Sequence, residues 1–176
     1  MELADFTKNL KGQKMFQILA EAKKLESKGK NIIHFEIGDP NFDTPVNVIN
    51  AAKKALNNGQ THYVQSSGLP ELKEVCRELT WLSRGFKPKD SQILVTSGAN
   101  IQIYLAVLAL LDVGEEVIIP NPSFVSYSSI IKACRGTPVE VDLSEEDSFK
   151  VDPEKIKKLI TNKTKAIIIN SPHNPT

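Results

Sequence analysis

From Gln92 onward the chain alternates short β-branched stretches with helical ones, and that rhythm limits the fold more than any other feature. The pattern predicts strands over 92–96, 116–119, 138–142 and 165–169, with helices over 99–111, 123–134 and 153–160 between them. Strands separated by helices require crossover connections and a mostly parallel sheet with helices on its faces. The expected class is α/β. Helix 99–111 is apolar on nearly every side, which predicts a central, fully buried helix. Asp152-Pro153 supplies an N-cap and a first-turn proline for the helix after it.

The earlier part of the chain is more ordinary. Met15, Ile18, Leu19, Ala22 and Leu25 recur at helical spacing and predict an amphipathic helix over 13–28, ended by Gly29. Ile32 to Ile37 alternates apolar and polar, which predicts a short strand closed by Gly38-Asp39-Pro40-Asn41. Thr44 is the expected N-cap of a second helix, with Pro45 at its first position and Gly59 as its stop. Gln60 to Gly68 is a polar loop carrying Tyr63. Pro70 opens a third helix with Leu72, Val75, Cys76, Leu79 and Leu82 along one stripe.

Charge and composition exclude several function classes. Twenty-two basic and 21 acidic side chains leave a net charge of +1 in 176 residues. Such a balance gives no electrostatic case for nucleic acid or an anionic membrane. No apolar run approaches the ~18 residues of a membrane span. Met1 to Lys11 mixes acids and bases without a secretory pattern. Cys76 and Cys134 fit buried small hydrophobes better than a disulfide or metal pair, so a cytoplasmic location is expected. The sequence closes on Ile167 to Thr176, a strand running into a turn, which reads as the first part of a longer chain.

Open α/β sheets bind ligands beyond the carboxyl ends of their strands. Three predicted strand ends carry unusual residues: Ser97-Gly98-Ala99-Asn100, Pro120 to Tyr127, and Asn170 to Thr176. Gly98-Ala99-Asn100 has neither Walker A nor G-x-G-x-x-G spacing. A lone glycine there is a tight turn or one edge of a phosphate cradle at a helix N-terminus. Phe124 is either a core anchor or a flat surface for a planar ring. Asn174 is either half of an Asn-Pro turn or an amide donor. Gly38 either permits a turn or admits a ligand close to the backbone. Tyr63 is a surface or interface aromatic. His34 and His62 have no acid/base partner at this level, and His173 reads as a loop residue rather than a metal ligand. No metal is expected.

Five segments, in order, carry a resemblance. They are Glu36-Ile37-Gly38-Asp39-Pro40-Asn41-Phe42-Asp43-Thr44-Pro45; Gln60 to Tyr63 with Gly68 to Leu72; Val95 to Asn100; Pro120 to Tyr127; and Asn170 to Thr176. Together they resemble the N-terminal portion of the fold-type I pyridoxal-phosphate enzymes, specifically the class I/II aminotransferases of the aspartate aminotransferase family. The resemblance implies a large cofactor-binding domain over 46–176, incomplete at its end, with 1–45 forming an arm and the first strand of a small domain. It implies pyridoxal 5'-phosphate as cofactor, an amino acid and a 2-oxo acid as substrates, and a homodimer.

The resemblance also implies roles. Gly98, Ala99 and Asn100 would hold the cofactor phosphate, Phe124 would stack on its ring, and Asn174 would bond the phenolic oxygen. Gly38 would meet the substrate carboxylate through its backbone, and Tyr63 would cross a dimer interface to the other subunit's phosphate. The Schiff-base lysine of the family falls beyond the Asn-Pro motif, so no catalytic residue is expected in these 176 residues. Lys28, Lys150 and Lys165 lie at a helix end or flank strands and are rejected as substitutes. A lyase, decarboxylase or synthase on the same fold, and a non-catalytic fragment, stay open as alternatives.

Overall fold

The computed structural model describes residues 2, 4, 7 and 14–176. Its helices are α1 (Lys14–Glu26), α2 (Val46–Asn57), α3 (Pro70–Arg84), α4 (Ala99–Leu110), α5 (Tyr127–Ala133) and α6 (Pro153–Leu159). Its strands are β1 (Glu116–Asn121), β2 (Thr137–Asp142) and β3 (Thr164–Ile167), and a 3-10 turn spans Asp90–Gln92. The first position of the expected helix 13–28 lies outside the described residues. The chain divides into two compact units, one of Met1–Glu36 with Gly98–Thr176, the other of Ile37–Ser97.

The first unit holds the sheet. Its order is β2-β1-β3 and both pairings are parallel, as the alternation of strand and helix requires. β1 is central, and its two faces meet different helices. Val117 and Ile119 pack with Val107, Tyr127, Ile131 and Cys134 from the α4–α5 side. Ile118 points the other way and packs with Val141 and with Ile156 of α6. This explains why Val117-Ile118-Ile119 reads as a continuous apolar run rather than an alternation. Val117, Ile118, Ile119 and Ile131 are at most 1 % exposed, and each contributes about 1.5–3 kcal/mol of burial. The expected cap of α6 is present, with Asp152 Oδ1 accepting from the Glu154 amide at 2.9 Å.

Several elements depart from the sequence expectation. Residues 32–37 form no strand; Ile33 and Phe35 are 78 % and 91 % exposed. Of residues 92–96, Gln92 closes the 3-10 turn and 93–96 belong to no ladder. A strand needs a ladder of paired neighbours; Val95 N donates to Ser67 O at 3.0 Å, and one such bond makes no ladder. α4 is not fully buried: only Val107 is, while Ile101, Leu105, Leu108 and Leu110 are exposed. α5 and the sheet cover one side of it, and nothing among the described residues covers the other. α5 begins at Tyr127, not 123, because β1 continues in register to the Asn121–Asp142 pair. Asn121 Nδ2 seals that pair by donating to Asp142 Oδ1 at 2.8 Å. Finally, Pro45 rather than Thr44 caps α2. Its ψ of 137° keeps it outside the helix, and no side chain caps the end.

The second unit is built on α2 and α3. α3 starts with Pro70 at its first position and ends at Gly85 in the left-handed conformation. It carries Lys73, which is 2 % exposed. Gly68 has a φ of +113°, and a Cβ built there would lie 2.5 Å from Val95 Cγ2. Only glycine satisfies both the backbone angle and that close approach. The thiols of Cys76 and Cys134 are both free. Cys134 is buried, and burial pushes its thiol above the usual cysteine range.

Candidate active site

Because β1 and β3 run parallel, the segments that follow them leave the sheet at the same edge. One is the turn Pro122–Ser126 and the other runs from Ile168 to Thr176. The first turn of α4 joins this edge. Ser126 Oγ donates to Asn100 Oδ1 at 2.8 Å, and Tyr104 of α4 packs on the same core cluster as Phe124. A groove of about 440 Å³ runs from the Asn100–Ser126 pair along Tyr104, Ser129 and Ala133 between α4 and α5.

Gly98 sits immediately before α4 with φ 134° and ψ 165°. That region is almost closed to residues with a Cβ. No side chain caps α4, so its first amides and the positive end of its dipole present themselves to an anion. A Cβ on Gly98 would meet nothing within 4 Å. The donor set therefore consists of the Ala99 and Asn100 amides, while the Ser126 hydroxyl is committed to Asn100 Oδ1. That set suits a phosphate monoester. The Phe124 ring is half-buried and meets Tyr127 edge-on, with centroids 5.8 Å apart and planes at 61°. An aromatic surface next to an anion cradle suits a planar ring carrying a phosphate arm.

Asn174 is exposed on the segment after β3. Its neighbour His173 shares a hydrogen between Nδ1 and Thr176 Oγ1 at 2.6 Å, while its buried Nε2 has no partner among the described residues. Gly38 and Tyr63 belong to the second unit. A Cβ at Gly38 would also meet nothing within 4 Å, and Tyr63 is fully exposed. The loop carrying Tyr63 lines a cavity of about 530 Å³ with Leu69, Leu72 and Val95.

His34 proves to have partners that sequence reading missed. Its Nδ1 lies 2.6 Å from Glu36 Oε1 and its Nε2 2.9 Å from Glu26 Oε1. The carboxylate of Glu36 first, and that of Glu26 second, raise the His34 pKa above its usual value. The same contact lowers Glu36. The two glutamates stand eight residues before and two after His34. Neither spacing marks a contact unless the chain after α1 folds back on the helix end.

Residues 30–176 match the family model for Aminotransferase class I and II. The chain belongs to this family. The aminotransferase chain is 43 % identical over 176 residues to an aspartate aminotransferase of Bacillus subtilis (strain 168), covering all of itself and 45 % of that relative. It is 41 % identical over 174 residues to a probable aspartate/prephenate aminotransferase of Aquifex aeolicus (strain VF5), covering 99 % of itself and 44 % of the relative. Among solved structures, an aspartate aminotransferase from Rhizobium meliloti aligns with a TM-score of 0.95 at 35 % identity, over 100 % of this chain and 44 % of that one. The chain thus spans under half the length of these relatives. Its parallel sheet with flanking helices is the fold they share over that span. The family implies pyridoxal phosphate as cofactor.

Two lysines of this aminotransferase segment can be placed against the site. Lys165 stands at the start of β3 and pairs with Glu115 at 3.5 Å, at the sheet edge opposite the cradle. Lys28 lies in the turn after α1. Among the described residues, no three His, Cys, Asp or Glu side chains are grouped to hold a metal.

Proposed function

We propose that this chain is the N-terminal part of a pyridoxal 5'-phosphate-dependent aminotransferase, which moves an amino group between an amino acid and a 2-oxo acid. The observation that carries the reading is the Ser126–Asn100 hydrogen bond at the uncapped start of α4. It fixes an anion-binding helix end beside an aromatic ring in a chain of aminotransferase ancestry.

In this reading the Ala99 and Asn100 amides, with Gly98 just before them, bind the phosphate. Ser126 holds the Asn100 side chain so that the first turn of α4 keeps its aim. Phe124 stacks on the pyridine ring, and Asn174 donates its amide hydrogen to the phenolic oxygen. Gly38 lets the substrate carboxylate reach the main chain. Tyr63 extends to the phosphate held by a second subunit, so the enzyme is a homodimer. The cofactor, when bound, supplies an electron sink next to the substrate's α-carbon.

Residues 46–176 form most of the cofactor-binding domain, and 1–45 supply the arm and the start of a small domain. The lysine that holds the cofactor comes from sequence beyond Thr176, so the 176 residues alone are catalytically incompetent. No helix among the described residues is long and apolar enough to cross a membrane, and the balanced charge fits a cytoplasmic enzyme of amino-acid metabolism. Because the relatives above are named for aspartate, aspartate is the first amino donor to assay.

The test uses the full-length protein. Purified protein should show the visible absorbance of bound pyridoxal phosphate and convert aspartate plus a 2-oxo acid to the exchanged pair. Absence of cofactor absorbance after loading overturns the reading. Release of carbon dioxide or of an unsaturated product, without amino exchange, replaces it with a lyase or decarboxylase on the same fold.

A further inference from the structure

Lys73 stands among the buried residues of the second unit although it carries a charge. Its side chain is 3 % exposed, whereas that of its partner Asp90 is 69 % exposed. An ammonium is kept out of water only where its donors are satisfied. Here Nζ donates to Asp90 Oδ2 at 2.7 Å and to Ser67 Oγ at 3.2 Å. One cation in the first turn of α3 therefore ties together three segments. They are the helix itself, the 3-10 turn at Asp90–Gln92, and the end of the loop that carries Tyr63.

Tyr63 is fully exposed, so burial does not fix its position; the loop backbone does. The incoming end of that loop is held by Gln60 N to Ala55 O at 3.0 Å and Thr61 N to Gly59 O at 2.8 Å. The outgoing end is held at Ser67 and Gly68. Val95 N donates to Ser67 O at 3.0 Å, Gly68 N donates to Gln65 O at 2.9 Å, and Lys73 grips the Ser67 side chain. Ser67 is only four residues from Tyr63.

We propose that Lys73 is a positioning residue, whose buried ammonium fixes the 60–69 loop through Ser67 and so sets the reach of Tyr63. This rests on the reading that Tyr63 contacts a cofactor phosphate. An exposed side chain that must meet a ligand outside its own unit loses affinity if its loop wanders, because the ordering is then paid at binding. A rigid base removes that cost. Lys73 touches neither substrate nor cofactor in this account; it acts through Tyr63.

The test is a double-mutant cycle on full-length holoenzyme, read as the dissociation constant for pyridoxal phosphate from its absorbance, with kcat at saturating cofactor measured alongside. Tyr63→Phe should weaken cofactor binding by about tenfold, the loss of one charge-assisted hydrogen bond. Lys73→Met should weaken it by roughly threefold to tenfold with kcat nearly unchanged. The double variant should bind no more than about twofold more weakly than Tyr63→Phe alone, because both changes remove the same contact. Multiplied losses in the double variant overturn the role of Lys73 and leave Tyr63 in place. Unchanged binding in Tyr63→Phe overturns the reading of Tyr63 and this inference with it, while Phe124 and the Gly98 cradle still stand or fall by the assay above. If Lys73→Met does not fold, Ser67→Ala replaces it in the cycle. A non-additive loss then supports the proposal, and unchanged cofactor binding overturns it.

Discussion

Ser126 donates its hydroxyl hydrogen to Asn100 Oδ1 across 2.8 Å and so joins the turn after β1 to the first turn of α4. The residues are 26 apart in sequence, yet the bond sets the geometry of the helix end that we assign to the phosphate. Ser126 is itself buried, at 6 % exposure, so its hydroxyl needs that acceptor.

Ser126→Ala should cost about 1 kcal/mol of stability, the net worth of one such bond, and should weaken pyridoxal phosphate binding by several-fold. Gly98→Ala should cost more, about 1–3 kcal/mol, since alanine cannot hold φ 134° and ψ 165° without strain. Denaturant unfolding and cofactor titration on the same samples separate the two effects. Equal cofactor affinity in wild type and both variants would remove this helix end from the phosphate site.

Gly68 and Gly38 should behave oppositely. A Cβ at Gly68 would come within 2.5 Å of Val95 Cγ2, at a φ of +113°. Gly68→Ala should therefore destabilise by roughly 2–5 kcal/mol from backbone strain and overpacking together. Gly38→Ala meets open space and should shift stability by less than about 0.5 kcal/mol, while raising the KM for the amino acid. Thermal unfolding and steady-state kinetics of the two variants check this contrast.

The His34 cluster predicts a pH dependence. Its two carboxylate partners raise the imidazole pKa above 6.5, so the imidazolium is favoured in the folded state. That contribution is complete below 6.5 and is lost as pH rises through the raised folded value. Glu36 is lowered below 4.5 by the same contact, so its contribution is present above 4.5 and fades as pH falls through the lowered folded value. Stability from this pair is therefore greatest between those two ordinary values. The difference in Tm between wild type and His34→Gln, followed across that range, should peak there and shrink on both sides. A flat difference would show that the pair does not titrate with folding.

Ile118 and Leu108 test where the core lies. Ile118 is fully buried between the sheet and α6, and Ile118→Ala should cost about 2–5 kcal/mol. Leu108 is 51 % exposed on α4, and Leu108→Ala in the 176-residue chain should cost less than about 1 kcal/mol. Guanidinium unfolding midpoints of the two variants give the comparison. A larger loss at Leu108 would mean that its face of α4 is covered in solution.

The sequence by itself determined the parts whose signals are local. Helical spacing placed α1, α3 and α6 within a few residues, and Asp152-Pro153 marked the start of α6, because caps and amphipathic stripes act over one or two turns. The strand–helix alternation after Gln92 dictated a parallel sheet, since parallel strands need crossovers. The order of the five motifs pointed to the aminotransferase family, which residues 30–176 match.

What only the tertiary structure decided depends on neighbours. Residues 32–37 and 92–96 have the β-branched pattern of strands but join no ladder among the described residues, and a segment outside a ladder is not a strand. The apolar helix α4 looked fully buried from its composition, yet exposure is set by what packs on each side, and among the described residues Ile101, Leu105, Leu108 and Leu110 stay exposed. The partners of His34, the burial of Lys73 and the bond from Ser126 to Asn100 join residues between 2 and 26 positions apart, across turns whose course no local pattern specifies. Periodicity fixes which face of an element is apolar. Packing alone fixes what that face meets.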